Sequence, residues 1–276
     1  MLSKGLIIKV NSDTFTVKCE DIELDCKSRG KNRYEKIKPL VGDQVLIDKE
    51  KCVIEKVLDR KNYLLRPPVA NIDIALIVTS LVKPNLSLTL LDKLISIVTI
   101  NNIEPVIVFT KLDLCDRNTL KLLKKLSKYY SCIGIKVFNN KKIRTLKKYL
   151  KNKIVTVCGQ TGAGKSTLIN KLDKHLALET KEISEALGRG VHTTRLVELF
   201  KINNFYIVDT PGFSSIDINT YTKEDIKNSF IEFRNKDCKF KDCSHEKEVG
   251  CKILEAVNTK KILSSRYENY IRFIKE

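Results

Sequence analysis

The chain has 276 residues and a formal net charge of +18 at pH 7. Hydrophobic residues make up 42% and aromatic residues 7%, enough apolar side chain to build buried cores, which excludes a disordered polycation. No apolar run approaches the roughly 18 residues that span a bilayer, the first residues lack the layout of a secretory signal, and nine scattered Cys do not read as a disulfide framework.

In chain order, residues 1–66 read as short strands. Leu6–Val10, Thr14–Val17, Ile22–Leu24 and Gln44–Ile47 alternate or are β-branched, with turns at Asn11–Asp13 and Val41–Asp43. About five short strands in such a length suit a small closed barrel, and the OB-fold is the commonest candidate. Arg66–Pro68 breaks the chain as a linker. From there apolar strands alternate with helices: strand Ile74–Val78, helix Leu88–Ile100, strand Pro105–Phe109, and a helix over Asn118–Tyr130 with Leu120, Leu123 and Leu126 inward. Strand Ile133–Val137, basic helix Ile143–Leu150, strand Ile154–Val157, a helix from Lys165 to Leu172, and strands Leu196–Phe200 and Phe205–Val208 complete a doubly wound α/β pattern. After about Ser214 the pattern turns polar, helical and Cys-containing. The expected organisation is a barrel over 1–66, an α/β domain over 67–213 and a C-terminal domain over 214–276.

The excess of base is clustered. Lys121 to Lys153 holds twelve Lys or Arg and no acid, and Lys27 to Lys38 holds six against one. A drift in base composition would scatter acids among the bases; clustering points to a polyanionic partner such as nucleic acid.

Gly159, Gln160, Thr161, Gly162, Ala163, Gly164, Lys165 and Ser166 match the P-loop pattern in full, after a strand and at the start of a helix. Glycines let the backbone wrap phosphates, successive N–H groups and the helix N-terminus supply positive potential, Lys165 reaches the β and γ phosphates, and the Ser166 hydroxyl can ligate magnesium. Asp209, at the end of strand Phe205–Val208, begins the tetrapeptide that closes with Gly212. There the carboxylate can hold the magnesium shell through water, and the Gly212 N–H can meet a γ-phosphate. Thr110, Lys111, Leu112 and Asp113 end the strand Pro105–Phe109. In this position the Asp113 carboxylate accepts from both the N1–H and the exocyclic amine of guanine, a donor pair adenine lacks. The order of the three motifs is permuted: in an ordinary GTPase the P-loop comes first and the guanine motif last. Gly188–Arg195 lies where a first switch loop belongs, with Thr193 favoured over Thr194 as a magnesium-reaching hydroxyl. Phe213 stands where many GTPases carry a water-orienting Gln. His192 is the available substitute, with a structural loop histidine as its alternative.

Cys238, Cys243, His245 and Cys251 supply three thiols and an imidazole within fourteen residues, a donor set suited to a closed, structural zinc site. Cys19, Cys26, Cys52, Cys115, Cys132 and Cys158 show no such spacing and read as buried hydrophobes.

Together the barrel, the segment Arg66–Asp73, the permuted motifs, Gly188–Arg195 and the Cys/His cluster resemble the ribosome small-subunit-dependent, circularly permuted GTPase family of the RsgA/YjeQ type, from Gly5 to about Tyr270. The resemblance implies an OB-fold, a permuted GTPase domain and a zinc-binding C-terminal domain. It implies GTP hydrolysis stimulated by the small ribosomal subunit during late maturation, with contacts to its rRNA. GTP contacts then fall on Thr110–Asp113 and Gly159–Thr167, zinc ligation on the Cys/His cluster, and His192 matches a histidine proposed to assist catalysis. The sequence departs from the family at three places. Thr110 replaces a commoner Asn, Phe138–Asn140 stands where a Ser-Ala pair is expected, and Val191 replaces a basic residue. The expectation is therefore a cytoplasmic, monomeric GTPase that takes GTP with magnesium, holds one zinc and binds no membrane. The alternatives are a nucleotide-gated RNA-binding scaffold with negligible turnover and an ATPase of another P-loop class, which Thr110–Asp113 opposes.

Overall fold

The computed structural model describes residues 2–28, 38–65, 68–131, 133–137, 142–172, 197–208, 217–234 and 236–276. The chain forms two compact units, one of Met1–Ala75, Thr145–Val157 and Ser166–Phe213, the other of Leu76–Arg144, Cys158–Lys165 and Ser214–Glu276. No helix among the described residues is long and apolar enough to cross a membrane.

In the first unit β1 (Leu2–Asn11), β2 (Thr14–Cys19), β3 (Ile22–Ser28), β4 (Gln44–Asp48) and β5 (Val53–Val57) close into a barrel in the order β1-β2-β3-β5-β4. β1 pairs antiparallel with β2 and β4, and β3 runs parallel to β5. This is the Greek-key connectivity of an OB-fold. Alternation builds it: in β2, Phe15, Val17 and Cys19 are buried while Thr14, Thr16 and Lys18 are not. They meet Ile7, Cys26, Val45, Ile47 and Ile54 in one core. Asp43 is wholly buried beside the barrel, and the Arg60 guanidinium donates to both its oxygens at 2.7 Å. The expected linker is structured at its end: Pro68 opens β7 (Pro68–Ala70), antiparallel to β6 (Tyr63–Leu65). Pro is tolerated there because it is the first residue of its strand.

The remaining strands are β8 (Ile74–Ser80), β9 (Glu104–Thr110), β10 (Gly134–Val137), β11 (Ile154–Gly159), β12 (Leu199–Ile202) and β13 (Phe205–Val208). They form one sheet in the order β10-β9-β8-β11-β13-β12. β8 and β11 are buried at every position, as parallel strands covered on both faces must be. β11 is fourth of these strands in the chain but central in the sheet. If the chain began at β11 and ended at β10, the sheet would read 6-5-4-1-3-2, which is what a circular permutation preserves.

Among the described residues, helices α1 (Leu88–Ile100), α2 (Arg117–Tyr129), α3 (Ile143–Leu150) and α4 (Lys165–Leu172) accompany the sheet. Ser87 caps α1 by accepting from the Leu90 N–H, and Asp116 caps α2 through the Thr119 N–H. On α2 the inward reading of Leu120 is corrected. Leu120 is 44% exposed, and only Leu123 and Leu126 are buried. At about 100° per residue Leu120 lies some 120° from Leu126, outside the narrow stripe this helix buries. Two cysteines read as buried are also corrected: Cys52 and Cys115 are only partly covered, whereas Cys19, Cys26 and Cys158 are buried; Cys132 lies outside the described residues.

The C-terminal part of the second unit carries α5 (Lys223–Ser229), α6 (Lys252–Asn258) and α7 (Ser264–Lys275). Its polar sequence conceals a core: Ile226, Phe230, Phe233, Ile253, Tyr270 and Phe273 converge, with Ile100 of α1 packed against them. A buried ionic network ties α7 to α1. Arg266, 1% exposed, donates from Nη1 to Asp92 Oδ1 at 2.7 Å and from Nη2 to Glu232 Oε2 at 3.1 Å, and its Nε pairs with Glu232 as well. Asp92 also accepts from Tyr130 at 2.7 Å and Asn269 at 2.6 Å. Removing one partner of such a network strands a buried charge, at about 3–5 kcal/mol. Arg266→Met is therefore expected to lower unfolding free energy by about that amount in a denaturant titration. Arg266→Lys should recover only part of it, because a point ammonium cannot serve two carboxylates as a fork does.

Candidate functional site

The site grows from the end of β11. Gly159 has φ +130, and a Cβ there would lie 2.0 Å from the Val78 carbonyl oxygen, so no other residue fits. The turn closes with the Ala163 N–H donating to the Gln160 carbonyl at 3.1 Å. Gly164, at φ +96, delivers the chain into α4 at Lys165. The first N–H groups of α4 have no partner within the helix and form an anion-binding end. The Lys165 ammonium donates to the carbonyls of Gly159 and Gln160 at 2.9 and 3.0 Å. Burial holds it below the ordinary lysine range. Ser166 and Thr167 are exposed at the helix start, while Leu168 and Ile169 anchor it.

The end of β9 stands beside this turn. Thr110 is buried, and its hydroxyl donates to the Ala163 carbonyl at 2.5 Å, with the Thr79 carbonyl 3.3 Å away. One side-chain oxygen thus joins two segments 53 residues apart. Lys111 follows in the left-handed region at φ +53, and its ammonium donates to the Lys83 carbonyl in the loop after β8. Leu112–Leu114 make one 3-10 turn that leaves the Asp113 carboxylate exposed. A phosphate cradle and an acceptor of the kind that reads guanine are therefore neighbours in the second unit. His192, Thr193, Asp209 and Gly212, with Phe213 and Phe138–Asn140, lie outside the described residues.

A second constellation lies between α5 and α6. The donor atoms of Cys238, Cys243, His245 and Cys251 all fall within 4.8 Å of one another. His245 Nδ1 is 3.7 Å from Cys238 Sγ and 3.4 Å from Cys251 Sγ, and those two sulfurs are 4.0 Å apart. Metal–ligand bonds of about 2.0–2.3 Å set tetrahedral edges of about 3.6–3.8 Å, so the set fits one small ion. Burial pushes the Cys243 thiol up to about 12, so a thiolate there needs a cation beside it. The loop is braced: Glu248 accepts from the Ser244 N–H and hydroxyl, both at 2.6 Å, and the Lys252 N–H donates to Cys238 Sγ at 3.3 Å.

The model of the RsgA GTPase matches residues 57–219, and that of the RsgA N-terminal domain matches residues 4–52. The chain belongs to the RsgA GTPase family. Among curated RsgA proteins, the small ribosomal subunit biogenesis GTPase RsgA 2 of Oceanobacillus iheyensis is 42% identical over 100% of this chain and 97% of its own length. The RsgA of Enterococcus faecalis is 39% identical over 99% and 95%. Two crystal structures share the fold: YjeQ from Thermotoga maritima, with a TM-score of 0.86 at 36% identity over 100% of this chain and 98% of that one, and YloQ, described as a circularly permuted GTPase, with 0.85 at 30% over 100% and 94%.

Sequence reasoning missed the Lys83 carbonyl as a partner of Lys111, since a backbone acceptor leaves no signature. It also missed Glu248, although an acid inside the Cys/His cluster was a usable signal. The Thr110 tie predicts its own test. Thr110→Val leaves the Ala163 carbonyl without its donor and should raise the dissociation constant for GDP about tenfold in calorimetry, whereas Thr110→Ser should stay near the parent value.

Proposed function

We propose that the chain is a GTP-switched assembly factor of the small ribosomal subunit: it binds the particle with GTP loaded, hydrolyses GTP faster there, and leaves as the GDP form. The observation that carries the reading is the junction of the P-loop turn with the Thr110–Asp113 turn, and membership of the RsgA GTPase family supports it. Curated relatives named for small-subunit biogenesis support the subunit as the partner, and contact with its rRNA is part of this reading. In this reading the barrel over 1–66, the GTPase domain over 67–213 and the C-terminal domain over 214–276 are three working modules of a cytoplasmic monomer.

The Asp113 carboxylate accepts from the guanine N1–H and amine. The amides of Gly159–Thr167 and the Lys165 ammonium hold the β and γ phosphates. Water attacks the γ-phosphorus, the bond to the β–γ bridging oxygen breaks, and GDP and phosphate separate. His192 is assigned to orient that water, because Phe213 cannot. Ser166, with Thr193 and Asp209, would hold magnesium, which when bound neutralises developing phosphate charge. Gly212 offers its N–H to the γ-phosphate, so loss of that group releases the segment around it. Cys238, Cys243, His245 and Cys251 would hold zinc, which when bound cross-links the loop ahead of α6.

Turnover of GTP should rise when purified small subunits are added; equal rates with and without them would overturn stimulation. His192→Ala should lower the stimulated rate by about 10²-fold with GTP affinity unchanged. A wild-type stimulated rate would assign the water to another group. Chelation should release one zinc per chain and raise hydrogen exchange across Lys236–Cys251 and α6, with protection at Gly159–Lys165 retained.

A further inference from the structure

We propose that α2 is a rail for the phosphate backbone of RNA, a contact surface that rests on the small-subunit reading and names where part of that contact is made. Arg117, Lys121, Lys124 and Lys128 stand at i, i+4, i+7 and i+11. At about 100° per residue they fall within an arc of roughly 60°. All four are exposed, and Lys125 is exposed on their flank. Leu126 and Leu123, on the opposite side of the helix, are buried. The stripe is about 16 Å long at 1.5 Å per residue.

What marks the stripe is the lack of acids. No Asp or Glu occurs between Asp116 and Asp173. Some exposed lysines elsewhere do have carboxylate partners: Lys51 with Asp48, Lys61 with Asp73, Lys252 with Glu255, Lys275 with Glu246. Among the described residues none of the five α2 bases takes part in an ion pair. Helix stability alone would disfavour this arrangement. Like charges at i, i+4 destabilise by about 0.2–0.5 kcal/mol each, and Arg117 puts a cation at the positive end of the macrodipole. A sequence that breaks local rules over a whole helix face is marking a functional surface. Regularly placed, flexible cations without acids complement a polyanion read by charge and not by base edges. A lipid surface is the poorer match, since interfacial helices bury one apolar face in the bilayer, whereas Leu123 and Leu126 belong to the protein core and the exposed Leu120 and Leu122 lie about 160° apart around the helix.

The test uses the full chain with Lys121, Lys124 and Lys128 each changed to Gln, which keeps helix propensity and removes charge. Binding to purified small subunits is measured with a non-hydrolysable GTP analogue across a salt series. The slope of log K against log salt should fall by about 2–3, with analogue affinity unchanged. A control with Lys51, Lys61 and Lys275 changed to Gln removes the same charge from paired positions and should keep the parent slope. An unchanged slope in the α2 variant, or an equal fall in the control, overturns the rail. So does α2-dependent binding to vesicles of anionic phospholipid without α2 dependence on subunits. Failure of the unaltered chain to bind subunits at all is a separate result that sinks the small-subunit reading itself. The single change Lys124→Gln, expected to lower the slope by about 1, guards against a triple variant that misfolds.

Discussion

The hydroxyl of Thr110 joins the turn after β9, proposed to read the base, to the turn after β11, proposed to cradle the phosphates, and the proposed site depends on that bond. Local hydrogen bonds shape each turn, but none of them sets one turn against the other. The cradle needs Gly159 pressed on the Val78 carbonyl, and the reading turn needs Lys111 in the left-handed region. Each is strained or confined locally, so a tertiary bond must keep them in register. A buried hydroxyl donating to a buried carbonyl is worth about 1 kcal/mol net, but leaving that carbonyl bare costs more. Where the family resemblance leads one to expect Asn, the shorter Thr110 side chain reaches the Ala163 carbonyl at 2.5 Å.

Permutation explains why such ties matter. β8 and β9 precede β11 in the chain, yet the turns at their ends serve one site. Chain order has changed while the neighbours in the sheet have not, and the chemistry follows neighbours. In chain order β13 is followed by α5 and the C-terminal core. That core is fastened to α1 by Arg266 between Asp92 and Glu232, an attachment of a different order from the exposed pairs such as Lys51 with Asp48, which contribute about 0–1 kcal/mol.

Much of this was legible in the amino-acid sequence. Helices α1 and α3 begin and end where their apolar spacing does, because each buries one face and breaks off at turns, and α4 begins where the P-loop pattern places it. The glycines of the cradle and the three thiols with their imidazole declare themselves by chemistry. What escaped is what depends on partners far along the chain. Nothing in the sequence between Ser265 and Tyr267 marks Arg266 as a core residue; its partner Asp92 lies 174 residues earlier. Leu120 reads as inward from its spacing, but how wide a stripe α2 buries is decided by what lies beneath it. Pro68 reads as a break and instead opens a strand whose partner is the preceding segment.

The most direct measurement of the central claim is competition at the nucleotide site, with a labelled GDP challenged by GTP and by ATP in the presence of magnesium. The account predicts displacement by GTP at stoichiometric concentrations and none by ATP at a hundredfold excess, because only guanine offers Asp113 its two donors. Equal displacement by the two triphosphates would contradict it.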